Sequence, residues 1–136
     1  MLYDVYRNME IYVYQNGAEE VATEYSRQDL QQILADGKNT VWVDFDIQSE
    51  ADRIEADEIL HNVFHFHPLA IEDAHETRNQ PKLETFANYL FFIVHGVKTE
   101  TNTENFLTKE LDGFLGENFL VTYHNEPFRS INKLKD

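Results

Sequence analysis

The 136 residues carry 25 Asp and Glu against 11 Lys and Arg, a formal net charge of −14 with histidine neutral. A phosphate-binding surface needs clustered cations to displace counterions, and no window supplies them, so this balance argues against a nucleic-acid partner. With 42% hydrophobic and 13% aromatic residues and no cysteine, the chain reads as one domain over residues 1–136 that can bury a real core, has no disulfide or thiolate metal site, and suits a reducing compartment.

Leu2 to Tyr6 and Ile11 to Tyr14 alternate and are rich in Tyr and Val, which predicts two strands, and Asn16-Gly17 follows as a hairpin-type turn signal. A third strand is expected near Val21 to Tyr25. Ser26 stands three residues before Asp29, a capping-box-like start, and Leu30, Ile33 and Leu34 give a helical stripe that Gly37 can end. Thr40 to Phe45 is β-branched and aromatic and reads as a buried strand. From Ser49, a candidate N-cap, the apolar period becomes helical through Ile54, Ile59, Leu60, Val63 and Phe64. Pro68 opens a second, short helix that carries Glu72 and Asp73 about one turn in, and the polar stretch Glu76 to Pro81 ends it. Strands then crowd together at Leu83 to Phe86, Tyr89 to Val97, Phe106 to Leu111, Gly113 to Leu115 and Phe119 to Tyr123, before helical turns after Pro127. Trp42, Phe45, Tyr89, Phe91, Ile93, Leu120 and Val121 are the expected core. This mixture of alternation and consecutive hairpins argues for an α/β fold, a mixed β-sheet sandwiched between helices.

The longest uninterrupted apolar run, Leu90 to Val94, falls far short of the roughly 20 residues that cross a bilayer as a helix. The start, Met1-Leu2-Tyr3-Asp4, has no basic region followed by an apolar segment and gives no secretory signal.

No HExxH, GxSxG or Gly-rich phosphate loop occurs, so the sequence offers no catalytic motif and the expectation is a protein that is not an enzyme. His61 and His65 are four apart on a predicted helix, with His67 and His75 following. Two imidazoles at that spacing can face one zinc ion, although imidazoles around a helix end also serve as partners for its carbonyls. The alternation Phe64-His65-Phe66-His67 places the helix end before His65, which separates the two. Asp44 and Asp46 leave a strand end on one face, and Glu72 and Asp73 are adjacent. Carboxylates of this kind are hard oxygen ligands for Mg2+ or, in a chain this acidic, simply solvated surface.

The order of several segments is more specific. His67-Pro68-Leu69-Ala70-Ile71-Glu72-Asp73, then Gln80-Pro81-Lys82-Leu83-Glu84, then Asn88-Tyr89-Leu90-Phe91-Phe92 resembles the "HPL-x-x-ED … RPK-x-E … Y-x-F" signature of the CorA family of Mg2+ and Co2+ transporters, in its cytoplasmic N-terminal domain. Val41-Trp42-Val43-Asp44 is similar to the family's "W-hydrophobic-D" strand, and Phe114 to His124 to its "FLG-x-N-hydrophobic-x-T-x-H" hairpin. The agreement runs from about Thr40 to His124, with Gln80 standing where the signature has Arg.

The resemblance implies an α/β/α cytosolic domain on the inner face of the cell membrane. It further implies a stalk helix, two transmembrane helices with a Gly-Met-Asn motif and a homopentameric pore. None of these last features is within the chain, so either the resemblance is to a stand-alone relative or, as the helical turns at Asp136 favour, the chain is a fragment whose membrane attachment comes through C-terminal helices absent here. By position, Glu72 and Asp73 would contribute to a regulatory cation site shared with a neighbouring subunit. The ion implied is Mg2+, both regulatory and transported, with Co2+, Ni2+ or Zn2+ as alternatives. Two other readings stand beside this one: a soluble acidic module that binds a protein, and a small zinc-dependent or acid–base enzyme built on His61, His65 and nearby carboxylates.

Overall fold

A computed structural model describes residues 8–76, 80–97 and 108–135. Among these residues, six strands form one mixed sheet in the order β1-β2-β6-β5-β4-β3. The strands are β1 (Met9–Gln15), β2 (Asn39–Asp46), β3 (Lys82–Thr85), β4 (Tyr89–Val97), β5 (Thr108–Gly116) and β6 (Phe119–His124). The helices are α1 (Leu30–Ala35), α2 (Glu50–Asn62), α3 (Pro68–His75) and α4 (Arg129–Lys135). β2 runs parallel to β6, and every other pairing is antiparallel.

Period-two alternation decides the two faces. Val41, Val43 and Phe45 of β2 pair with Phe119, Val121 and Tyr123 of β6, and Phe114 of β5 and Phe91 and Ile93 of β4 continue that face. Leu30 and Ile33 of α1, Ala56, Ile59 and Leu60 of α2, Phe66, and Ala70, Ile71 and Ala74 of α3 complete this core. Phe66 stacks on Phe114 at 4.2 Å between ring centroids. The opposite face carries Trp42, Asp44, Thr122 and His124, and α4 covers part of it, with Phe128 and Ile131 buried. The sheet therefore lies between helices, as expected. Of the expected core, Phe45, Phe91, Ile93 and Val121 are buried and Trp42, Tyr89 and Leu120 are half-buried.

Local signals set the helix ends. Ser26 N–H donates to Asp29 Oδ2 at 2.8 Å ahead of α1, and Ser49 Oγ accepts from Asp52 N–H at 3.1 Å to cap α2. α2 is left through His65 at φ +57, a left-handed conformation in which a side chain is crowded. Phe66 N–H then closes on the Leu60 carbonyl at 3.1 Å.

Three expectations change. Val21 to Tyr25 is not a strand: Ala22 exchanges both backbone hydrogen bonds with Val13, at 2.8 and 2.9 Å, and the chain then leaves the β1 edge for the turn capped by Ser26. The expected strands Phe106–Leu111 and Gly113–Leu115 are one strand over their described part. Gly113 does not break β5, because the ring of Phe92, its cross-strand partner, occupies the space a Cβ would take. The expected strand Leu2–Tyr6 lies outside the described residues.

Candidate functional site

α3 is placed by its first residues. His67 Nδ1 accepts the Leu69 N–H at 3.0 Å, Pro68 has no N–H to leave unsatisfied, and the Tyr89 hydroxyl accepts the His67 N–H at 2.8 Å. With Ala70, Ile71 and Ala74 buried, the helical period turns Glu72 outward to solvent and Asp73 toward the β3 edge. There the carboxylate of Asp73 pairs with Lys82, whose ammonium also reaches Glu84 Oε1 at 2.7 Å. These bonds, that to Asp73 foremost, hold Lys82 above its ordinary pKa. Two segments of the sequence signature thus meet in space, and the acidic pair comes with a resident cation.

A second group of signature residues lies on the far face. Asp44 is buried with its carboxylate accepting from Thr122 Oγ at 2.6 Å, His124 Nε2 at 2.9 Å and Lys135 Nζ at 2.6 Å. Trp42 Nε1 donates to the same threonine hydroxyl at 2.9 Å. His124 Nδ1 faces the Glu126 carbonyl at 2.9 Å. Both ring nitrogens therefore face oxygen atoms. Burial acts to raise the pKa of Asp44, but the bonds and charges of His124, Lys135 and Thr122 outweigh it and hold the carboxyl below its ordinary value. The expectation of Asp44 and Asp46 as a cation-ligand or solvated pair is corrected: Asp44 is an internal counter-ion that ties β2, β6 and α4. Asp46, half-exposed, accepts from Gln48 Nε2 at 2.7 Å.

The histidines are not gathered into one ligand set. His61 is exposed in the last turn of α2, His65 is exposed beyond it, His67 caps α3, and His75 pairs with Asp57. Among the described residues no group of three or more His, Cys, Asp or Glu could hold a metal ion. None of the helices they form is long and apolar enough to cross a membrane.

A third cluster was not anticipated. Glu110 and Asp112 of β5 share one face, and Asp112 lies directly opposite Tyr123 of β6. Burial, and after it the neighbouring Glu110 carboxyl, push the Asp112 pKa up to about 10. The signal was available in the sequence: two acids at spacing two on a strand, the same pattern that singled out Asp44 and Asp46.

The sequence model of the family described as "CorA-like Mg2+ transporter protein" matches residues 37–136. A Bacillus subtilis (strain 168) protein named "Putative metal ion transporter YfjQ" is 37% identical over 95 residues, which cover 70% of this chain and 27% of that protein. The chain thus spans about a quarter of the length of this relative. Among solved structures, full-length CmaX superposes with a TM-score of 0.71 at 18% identity, covering 94% of this chain and 38% of the other. The soluble domain of CorA from Methanocaldococcus jannaschii gives 0.60 at 17%, covering 92% and 44%. The ZntB cytoplasmic domain from Vibrio parahaemolyticus gives 0.67 at 12%, covering 95% and 49%. These likenesses show a shared fold, while the family match spans β2 through α4 and takes in every signature residue placed above. The chain belongs to the CorA-like Mg2+ transporter protein family.

Proposed function

We propose that this chain is the cytoplasmic, cation-sensing domain of a homopentameric, CorA-type divalent-cation transporter. In this reading Glu72 and Asp73 form one half of a regulatory Mg2+ site completed by a neighbouring subunit. The observation that carries it is the position of the pair. Glu72 faces solvent at the surface of α3, and beside it the Asp73 carboxylate holds a lysine ammonium that is itself partly exposed. A divalent ion that meets only one or two carboxylates keeps several of its waters and binds weakly, in the millimolar range. Such affinity suits a sensor of an abundant ion. All-oxygen chemistry favours Mg2+ over Zn2+, which takes nitrogen and sulfur ligands more readily. Cations bound between subunits hold the acidic faces together and the pore closed. Their loss lets the faces repel and the pore open.

Lys82 makes the reading sharp, because it competes with the ion for Asp73. In the full-length transporter, Mg2+-dependent protection from protease should need more Mg2+ in Asp73→Ala and less in Lys82→Ala, with the ion preference of the pore unchanged in both. Identical midpoints for wild type and Asp73→Ala would remove Asp73 from sensing.

A further inference from the structure

Between β5, β6, α2 and the end of α3 lies a cleft of about 330 Å³ whose lining includes Glu50, Arg53, Glu76, Glu110, Asp112 and Tyr123. Two buried polar atoms within it, Asp112 Oδ1 and the Tyr123 hydroxyl, have no hydrogen-bond partner among the described residues. Both side chains are more than nine-tenths buried, at 2% and 5% exposure. Native proteins rarely leave such atoms unsatisfied, and an ordered water or an ion is the usual explanation. Here the two residues are neighbours on one face of the sheet, because Asp112 and Tyr123 are directly paired across the β5–β6 ladder. The carboxyl of Glu110 stands two residues along on the same face and is hydrogen-bonded to Asp112.

We infer that this cleft is a second cation site, in which a hydrated divalent ion such as Mg2+ displaces the proton shared by Asp112 and Glu110 to solvent and is held by their two carboxylates, with the Tyr123 hydroxyl bonded to one of its waters. The donors are oxygens, the preference of hard cations. With two carboxylates rather than three or four protein ligands, the ion must keep most of its water. The space allows it: at about 30 Å³ per water, six waters need about 180 Å³. The field at the cleft also favours a cation. Glu50 and Glu76 are exposed around it, and each basic residue of the lining is taken by an acid: Arg53 by Glu50 and Asp57, His75 by Asp57 and His124 by Asp44. None of this depends on Glu72 or Asp73, and the site lies within one subunit.

The test follows the side-chain carboxyl 13C resonances of this chain during titration with MgCl2 at constant ionic strength. Asp112 and Glu110 should shift together with a common millimolar midpoint. Tyr123→Phe, which removes only the hydroxyl, should raise that midpoint about tenfold, the usual effect of losing a group that orients a metal's ligands. In Asp112→Asn the Glu110 shift at that midpoint should vanish. The resonances of Glu72 and Asp73 report on the α3 site independently, so either site can fail alone. If Asp112 and Glu110 do not move, or move equally with NaCl, the proposal is overturned and the two atoms are satisfied by ordinary water.

Discussion

Asp44 shows how much a single residue can organise when it is charged and buried. Its side chain is 1% exposed and its partner His124 3%, so water does little to screen the pair. A buried ion pair adds little net stability, but removing one partner leaves the other charge stranded, at about 3–5 kcal/mol. Asp44→Ala should therefore lower the unfolding free energy by about this amount at neutral pH, as measured by urea denaturation. The folded pKa of Asp44 is depressed. Its contribution is thus complete above the unfolded value of about 3.9 and disappears as pH falls further, through the folded value. Lys135, for which burial is outweighed by its bonds to Asp44 and Glu10, has a raised pKa. Its share persists below the unfolded value of about 10.4 and is lost as pH rises through the folded one. Between those limits the contributions of Asp44 and Lys135 should be flat, and Asp44→Ala should remove the loss of stability on the acid side. Asp73 is the opposite case. Its pair with Lys82 is 29% and 36% exposed, so solvent screens it, and Lys82 keeps Glu84 as a partner. Asp73→Ala should change stability by less than about 1 kcal/mol in the same experiment.

At the scale of elements, β4 and β5 form the part of the sheet where side chains constrain one another most. Phe91 is fully buried with its ring 4.9 Å from that of Phe114. Phe91→Ala should cost about 3–5 kcal/mol in denaturation, and a loss below about 1 would contradict its place in the core. On the other face, a Cβ at Gly113 would stand 2.0 Å from Phe92 Cζ. Gly113→Ala must displace that ring, at about 1–3 kcal/mol. This pair also explains which elements were legible in the sequence. α2 and α3 were readable because Ser49, the apolar period and Pro68 are local signals, and β2 because its alternation is strict. β5 was divided at Gly113 because the compensation comes from another strand. Val21 to Tyr25 had the composition of a strand, but among the described residues only Ala22 forms a bridge, to Val13. The same distinction holds for the sites. Glu72 and Asp73 were legible as a motif, whereas Lys82 joins Asp73 only once β3 is laid against β4. The burial of Asp44 is set by β6 and α4, at sequence separations of 80 and 91 residues from His124 and Lys135.

For the whole molecule, the net charge of −14 is the main obstacle to self-association. It acts on every pair of copies before any specific contact forms. At low ionic strength this repulsion reaches far, with a Debye length of about 30 Å at 0.01 M salt against about 10 Å at 0.1 M. In the proposed assembly the copies would also be tethered by membrane helices outside this chain, which reduces the cost of bringing them together. The chain alone should therefore sediment as a monomer or a weak oligomer in dilute, low-salt, metal-free buffer. A tight pentamer under those conditions would contradict the argument. Salt then separates two ways in which cations can relieve repulsion. Screening depends on ionic strength alone, so NaCl and MgCl2 matched in ionic strength would promote association equally. Bridging between carboxylates of neighbouring copies requires a divalent ion, so MgCl2 would promote association more than matched NaCl. The proposed sensing role requires the second result. It requires also that Asp73→Ala, which changes the net charge by one unit and leaves screening almost intact, reduce the excess effect of MgCl2. An equal response of wild type and Asp73→Ala to the two salts would assign the cation effect to general screening and remove the α3 acids from the interface.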